Sequence, residues 1–303
     1  MRPTHAGEAD DRPPPLHWKN DRELTFPGVT FDLDWTPAAA DRSSTPDRFV
    51  VAKTREMVEF YRDQFAGRVR TVVEIGIFKG GSIALFHELF QPERLVAIDI
   101  SQERVSALDE YVTRHGLARA VRSYYGVDQA DGPRLRAILQ DEFAGKGIDL
   151  VVDDGCHLLA QSRASFNAVA PFLSPGGTYV IEDWAWAHWP GEWQDHGGPW
   201  ASLPATTQLI FELVMVAASY PELIASVEAR ADLAVVRRGA APVAEGFDVS
   251  SSYRAAGRNF GEYGLPAPPQ RRLIDRAAEI VRNEGMTGLG GRIARRLRSK
   301  RAS

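Results

Sequence analysis

Between Thr71 and Asp183 short β-branched runs and helical stretches follow one another in strict order, and this alternation constrains the fold more than any other feature. Thr71 to Ile75, Leu95 to Ile98, Ala120 to Gly126, Asp149 to Val152 and Thr178 to Ile181 read as strands. Ser82 to Leu89, Glu103 to His115, Gly132 to Phe143 and Gln161 to Leu173 read as the helices between them. Strands joined through helices are parallel, with both faces of the sheet covered. The expected fold class is α/β: a doubly wound, mostly parallel Rossmann-like sheet. An apolar helix, Thr206 to Ser219, and a hairpin, Ile224 to Glu228 with Leu233 to Val236, are expected to close it in antiparallel fashion. Ligands of such sheets bind beyond the carboxyl ends of the strands. Glycines or carboxylates stand at that end of the first, second, fourth and fifth runs.

The flanks read differently. Residues 1–45, rich in Pro, Asp and Arg, are expected to form a flexible arm with one docked stretch at Leu24 to Trp35. Asp47 to Phe65 reads as a helix. The domain proper is placed at 46–240, and 241–303 is read as an extension whose helical promise is confined to Gln270 to Asn283. The extension ends in a basic tail (Arg292, Arg295, Arg296, Arg298, Lys300, Arg301) read as a frayed terminus, with contact to anionic lipid as the minority reading. A net charge of -4 argues against a general nucleic-acid binder. A single cysteine, Cys156, excludes an intrachain disulfide, and no apolar run approaches the roughly 18 residues of a membrane span. The residues before Asp21 hold no apolar core of a secretory signal, so a cytoplasmic protein is expected. The N-terminal arm is compatible with a homo-oligomer.

Glu74-Ile75-Gly76-Ile77-Phe78-Lys79-Gly80-Gly81-Ser82 runs from the first strand into a helix. Glycines let the backbone approach a ligand, and a helix N-terminus offers free N–H groups to a carboxylate. The spacing is neither the dinucleotide fingerprint nor a phosphate loop. Asp99 ends the second strand, where an acid can accept from both ribose hydroxyls. A bare strand–helix turn with an exposed aspartate is the structural alternative.

These residues resemble the S-adenosylmethionine (SAM) region of class I methyltransferases over roughly Val72 to Asp183. The resemblance implies that Glu74 is the strand-end glutamate of the cofactor site. Gly76 and Gly80 would line the methionine part, Ser82 would bind its carboxylate, and Asp99 would hold the ribose. Asp128 and Gln129 follow the third strand, where the family contacts the adenine, although Asp128 can equally cap the next helix.

Asp153-Asp154-Gly155-Cys156-His157 follows the fourth strand and Glu182-Asp183 the fifth. Carboxylates gathered in one cleft repel unless a cation intervenes, and oxygen-rich sets suit Mg²⁺, Mn²⁺ or Ca²⁺ rather than Zn²⁺. Helix capping by the acids, with a structural His157, is the alternative. With Ser-Pro-Gly-Gly-Thr-Tyr-Val-Ile-Glu-Asp, the motif resembles the metal-dependent O-methyltransferases of macrolide sugar tailoring. It is similar also to cephalosporin hydroxylase-like proteins and, more distantly, to catechol O-methyltransferase. Cys156 stands where that pattern has serine. The resemblance implies Asp154, Glu182 and Asp183 as ligands of Mg²⁺ or Mn²⁺, His157 as catalytic base, and Asp153 either behind the metal ligands or as support for His157.

The expected chemistry is O-methylation of a small-molecule acceptor, a sugar hydroxyl of a glycosylated natural product or glycolipid. Competing readings keep the fold but change the acceptor to a catechol, phenol or amine, or remove turnover altogether in a SAM-binding accessory protein. Trp184, Trp186, Trp189, Trp193 and Trp200, with His188 and His196, follow the metal motif. They are read equally as a wall over the acceptor and as a structural plug against the helix from Thr206.

Overall fold

The computed structural model describes residues 15–189 and 203–254. They belong to one compact unit ending at Arg254. Trp193, Trp200, His196, the Gln270 to Asn283 helix and the basic tail lie outside the described residues.

The chain opens with a small sheet: β1 (His17–Asn20), β2 (Glu23–Phe26), β3 (Val29–Leu33) and β4 (Arg48–Val51), in that spatial order. The first three are antiparallel, and β4 pairs parallel to β3. Val29, Phe31 and Leu33 alternate inward, and Phe31 stacks on Phe49 of β4. On the outer face Asp32 and Asp34 accept from Arg42, and Asp32 also from Arg48. The expectation of a flexible arm over 1–45 is therefore corrected for residues 17–33, of which only the stretch from Leu24 is expected to dock. Its Pro- and Asp-rich composition hides a period-2 pattern in strands of four and five residues. The domain boundary at 45/46 cuts this sheet, and the boundary at 240/241 falls inside the same compact unit. Residues beyond 240 dock on the body, with the Val249 N–H donating to Asn167.

The helix expected from Asp47 begins later. Val50 and Val51 are strand, and α1 (Arg55–Phe65) starts at Thr54, whose hydroxyl accepts from the Met57 N–H. Then follow β5 (Thr71–Ile75), α2 (Gly81–Phe90), β6 (Arg94–Ile98), α3 (Ser106–Arg114), β7 (Val121–Tyr124), α4 (Gly132–Phe143), β8 (Ile148–Asp153), α5 (Leu159–Val169), β9 (Leu173–Glu182), α6 (Thr207–Ser219), β10 (Ile224–Ala229) and β11 (Leu233–Arg238). The strand order is β10-β11-β9-β8-β5-β6-β7. The five strands from β9 to β7 are parallel, and β11 pairs antiparallel to β9. None of the helices among the described residues is long and apolar enough to cross a membrane.

Strand parity divides the core. Val72, Leu95, Val152 and Val180 face one cluster, with α1, α2 and the N-terminal sheet. Val73, Val96, Val151 and Ile181 face the other, with α4, α5 and α6. Side chains two apart share a face. Glu74 therefore follows Val72, and Glu182 follows Val180, toward the N-terminal sheet. Asp153 follows Val151 to the opposite side.

Candidate active site

The loop Gly76 to Gly80 crosses from β5 to α2 and is braced by Asp99, just past β6. Asp99 Oδ2 accepts from the N–H of Ile77 at 2.7 Å and of Phe78 at 3.3 Å, while Oδ1 accepts from Ser101 at 2.7 Å. Gly76 is required here: its φ is +107°, and a Cβ would lie 2.3 Å from the Asp154 carbonyl oxygen. A cavity of about 820 Å³ opens beside this loop. Gly76, Asp99, Asp128, Gln129, Asp154 and Cys156 are among its walls. A recess of about 30 Å³ adjoins it, lined by Lys53, Gly76, Gly81, Ser82 and Asp154.

Two expected cofactor residues stand elsewhere. Gly80 lines neither space; a Cβ there would meet Leu108 and Val105, so its role is close packing of α3. Glu74 lines neither space and is wholly buried, with the Ser82 hydroxyl beside it and Lys53 Nζ 3.9 Å from Oε1. Burial pushes its carboxyl up to about 8. Asp128 is exposed and accepts from the Ala130 N–H, while Asp131 caps α4. Gln129 is buried and accepts from the Cys156 N–H at 2.9 Å.

The four carboxylates of β8 and β9 separate. Asp153 Oδ2 accepts from Ser165 and Tyr179, each at 2.7 Å, and Oδ1 from Gln129 at 3.2 Å. Parity turns it toward α5, so these hydrogen bonds go to that side, while the charge of His157 acts on it only through space. Asp154, His157 and Asp183 do come together, each offering a ligand atom within 4.8 Å of the others. His157 Nε2 lies 3.9 Å from Asp154 Oδ1, and its ring packs against Trp186 at 4.3 Å. Burial, then the charge of Asp154, lifts the Asp183 carboxyl to about 6. A divalent cation would relieve that repulsion; the two carboxylates fit Mg²⁺ or Mn²⁺, and an imidazole among the ligands would favour Mn²⁺ over Mg²⁺. Phe78, His157 and Asp183 all have left-handed backbones, at φ 48°, 56° and 54°, at the mouths of β5, β8 and β9. Such strain gathers where function fixes the geometry.

Glu182, expected as a third carboxylate ligand, stands apart from this cluster. Both its oxygens accept from Lys53 Nζ, at 2.8 and 2.7 Å, and Oε1 also from the Tyr61 hydroxyl at 2.5 Å. Lys53 is the residue that sequence reasoning missed. It follows β4 directly and donates also to Asp154 Oδ2 at 3.0 Å. Burial works against its charge, yet Asp154, Glu182 and Glu74 outweigh burial and hold its pKa above the usual lysine range. Of the tryptophans, Trp184 donates to the Arg230 carbonyl, and His188 bonds Thr207 at the start of α6, so this part of the motif is at least a plug.

The strand order, with its terminal antiparallel pair, is that of a class I methyltransferase fold, and residues 73–184 match a family described as a methyltransferase domain. Within that class the chain is similar to sugar O-methyltransferases. It is 35% identical over 138 residues to mycinamicin VI 2''-O-methyltransferase of Micromonospora griseorubida, covering 43% of this chain and 31% of the relative. It is 34% identical over 134 residues to 8-demethyl-8-alpha-L-rhamnosyl tetracenomycin-C 2'-O-methyltransferase of Streptomyces olivaceus, covering 42% and 32%. Demethylmacrocin O-methyltransferase of Streptomyces fradiae is 29% identical over 170 residues, covering 52% and 39%. The chain thus spans about a third of the length of the curated relatives it matches. A solved structure of MycE methyltransferase from the mycinamycin pathway, in complex with Mg and SAH, overlays with a TM-score of 0.48 at 26% identity, covering 62% of this chain and 49% of that one.

Proposed function

We propose that this chain is a SAM-dependent, divalent-metal-assisted O-methyltransferase acting on a sugar hydroxyl of a glycosylated natural product. The observation that carries the reading is continuity. One cavity runs from the glycine loop and Asp99 to Asp154, and Asp154 belongs to the cluster with His157 and Asp183. Asp99 borders the cavity where the donor's ribose hydroxyls would add to the Ile77, Phe78 and Ser101 amides it already accepts from, and Ser82 faces the adjoining recess on the methionine side. The relatives named above act on sugars of macrolides and a tetracenomycin, which supports the acceptor class.

When bound, SAM supplies an electrophilic methyl group and the metal supplies Lewis acidity toward the acceptor hydroxyl. The chain's own part is to align and deprotonate. Asp154 and Asp183 would hold the metal, and His157 Nε2 takes the hydroxyl proton as the methyl moves. His157 is held at its backbone by Thr206, whose hydroxyl donates to its carbonyl at 2.7 Å. A second reading, with His157 as a ligand rather than the base, is favoured by its place in the cluster. Product mass analysis with SAM, Mg²⁺ and a panel of glycosides and catechols tests the proposal. A 14 Da gain on a glycoside that disappears with EDTA is expected; gain on catechols alone, or full turnover in excess EDTA, rejects it.

A further inference from the structure

Lys53 is 1% exposed, and its ammonium has three hydrogens to place. Its three short contacts are Glu182 Oε1 at 2.8 Å, Glu182 Oε2 at 2.7 Å and Asp154 Oδ2 at 3.0 Å. Glu74 stands behind at 3.9 Å, and the rings of Phe86 and Tyr61 lie 5.6 and 5.9 Å from Nζ. A buried ammonium without such partners costs several kcal/mol. A metal that took Glu182 would remove two of the three short contacts and leave Lys53 among aromatic rings with only Asp154 and the more distant Glu74 to balance its charge. Glu182 is equally committed, since it already accepts from Lys53 and Tyr61.

Asp154 is shared between the two sides. Its Oδ2 faces Lys53, while its Oδ1 faces His157. We propose that Lys53 is the resident cation of the inner carboxylates: it holds Glu182 and one oxygen of Asp154, and leaves a divalent metal to Asp154 Oδ1 and Asp183, beside His157. The proposal rests on the reading that a divalent cation binds at this cluster, and it departs from that reading's expected ligand set at Glu182. It also makes the N-terminal sheet part of the site, because Lys53 is delivered by the end of β4. Lys53 is a positioning residue here, fixing which Asp154 oxygen meets the metal.

Mn²⁺ is the probe. Anomalous diffraction from crystals of the full chain soaked in Mn²⁺ is expected to place the ion at bonding distance, about 2–2.5 Å, from Asp154 and Asp183, with Lys53 still on Glu182. An ion bonded to Glu182 with Lys53 displaced overturns the proposal. In solution, calorimetry compares Asp183→Asn with the double variant Lys53→Met, Glu182→Met, which removes both charges together. The double variant is expected to keep Mn²⁺ affinity within about fivefold, and Asp183→Asn to lose at least tenfold. Equal losses in the two overturn the proposal. Should the double variant fail to fold, the wild-type diffraction still decides. No Mn²⁺ binding by the wild-type chain at millimolar concentration rejects the metal reading itself, and is recognised before any variant is made.

Discussion

Asp153 and Asp154 are neighbours at the end of one strand, yet they serve two different kinds of surroundings. On the α5 side, Asp153 accepts from Ser165, Tyr179 and Gln129 and is 2% exposed. Every donor that reaches it is neutral and satisfied. On the other side, Asp154 meets a lysine, an imidazole and a second aspartate, and it borders the cavity. A satisfied neutral network fixes structure. A cluster of charges with a shifted carboxyl beside a cavity points to chemistry. The difference teaches that strand parity, rather than proximity in sequence, assigns an acid to one task or the other.

His157 offers the largest test. If it is the base on the charged side, His157→Ala should lower kcat by roughly 10²–10⁴ while SAM affinity, Mn²⁺ affinity and melting temperature stay near wild type. Recovery of rate at high metal concentration would make it a ligand instead. A kcat within threefold of wild type, with reduced stability, would move His157 to the structural side of the comparison.

Asp153→Ala probes the other side. Three donors lose their acceptor in the core, so unfolding free energy should fall by roughly 3 kcal/mol, read by urea denaturation. The folded variant should bind Mn²⁺ as wild type does. Unchanged stability combined with lost metal affinity would break the distinction between the two aspartates.

Asp99 stands between these cases, since it braces the loop and faces the cavity. Asp99→Ala should weaken SAM binding about tenfold or more, the worth of a charge-assisted hydrogen bond, as measured by calorimetry. Unchanged affinity would reduce Asp99 to a brace for the Ile77 and Phe78 amides.

The alternating half of the chain was legible because its strands are buried on both faces and read as β-branched runs; in β5 all five residues are buried and four of them are β-branched. The glycine loop and Asp99 were legible from their position at strand ends. Lys53 was not. It sits between Val51 and the helix cap Thr54, and a lysine there reads as a solvated start of α1. Only the tertiary pairing of β4 with β3 turns it inward. The pairing of Glu182 with Lys53 was hidden for a related reason: the parity of Glu182 with Val180 was readable, but its partner lies 129 residues away. The N-terminal strands escaped notice because their outer faces carry Glu23, Asp32 and Arg48, which mask the inward Leu24, Phe31 and Phe49.

Gly81 gives the smallest expected effect and tests how the charged side receives its lysine. It is the first residue of α2, where alanine would ordinarily be favoured over glycine by up to about 1 kcal/mol. Here a Cβ would lie 2.1 Å from the Val50 carbonyl oxygen of β4, a backbone atom that cannot swing aside. Gly132, the first residue of α4, is the control: a Cβ there meets the Arg136 side chain at 3.1 Å, and that side chain can move. Gly132→Ala should therefore be neutral or slightly stabilising. Gly81→Ala should cost about 1–3 kcal/mol through displacement of β4, read as a lowered melting temperature. Because Lys53 lies three residues beyond Val50, the same shift should loosen its grip on Asp154 and Glu182, and Mn²⁺ affinity should fall modestly, by less than about fivefold, along with stability. If Gly81→Ala is as stable as Gly132→Ala, β4 does not press on α2. If stability falls while Mn²⁺ affinity holds, the sheet supports the fold without setting the geometry of the charged cluster.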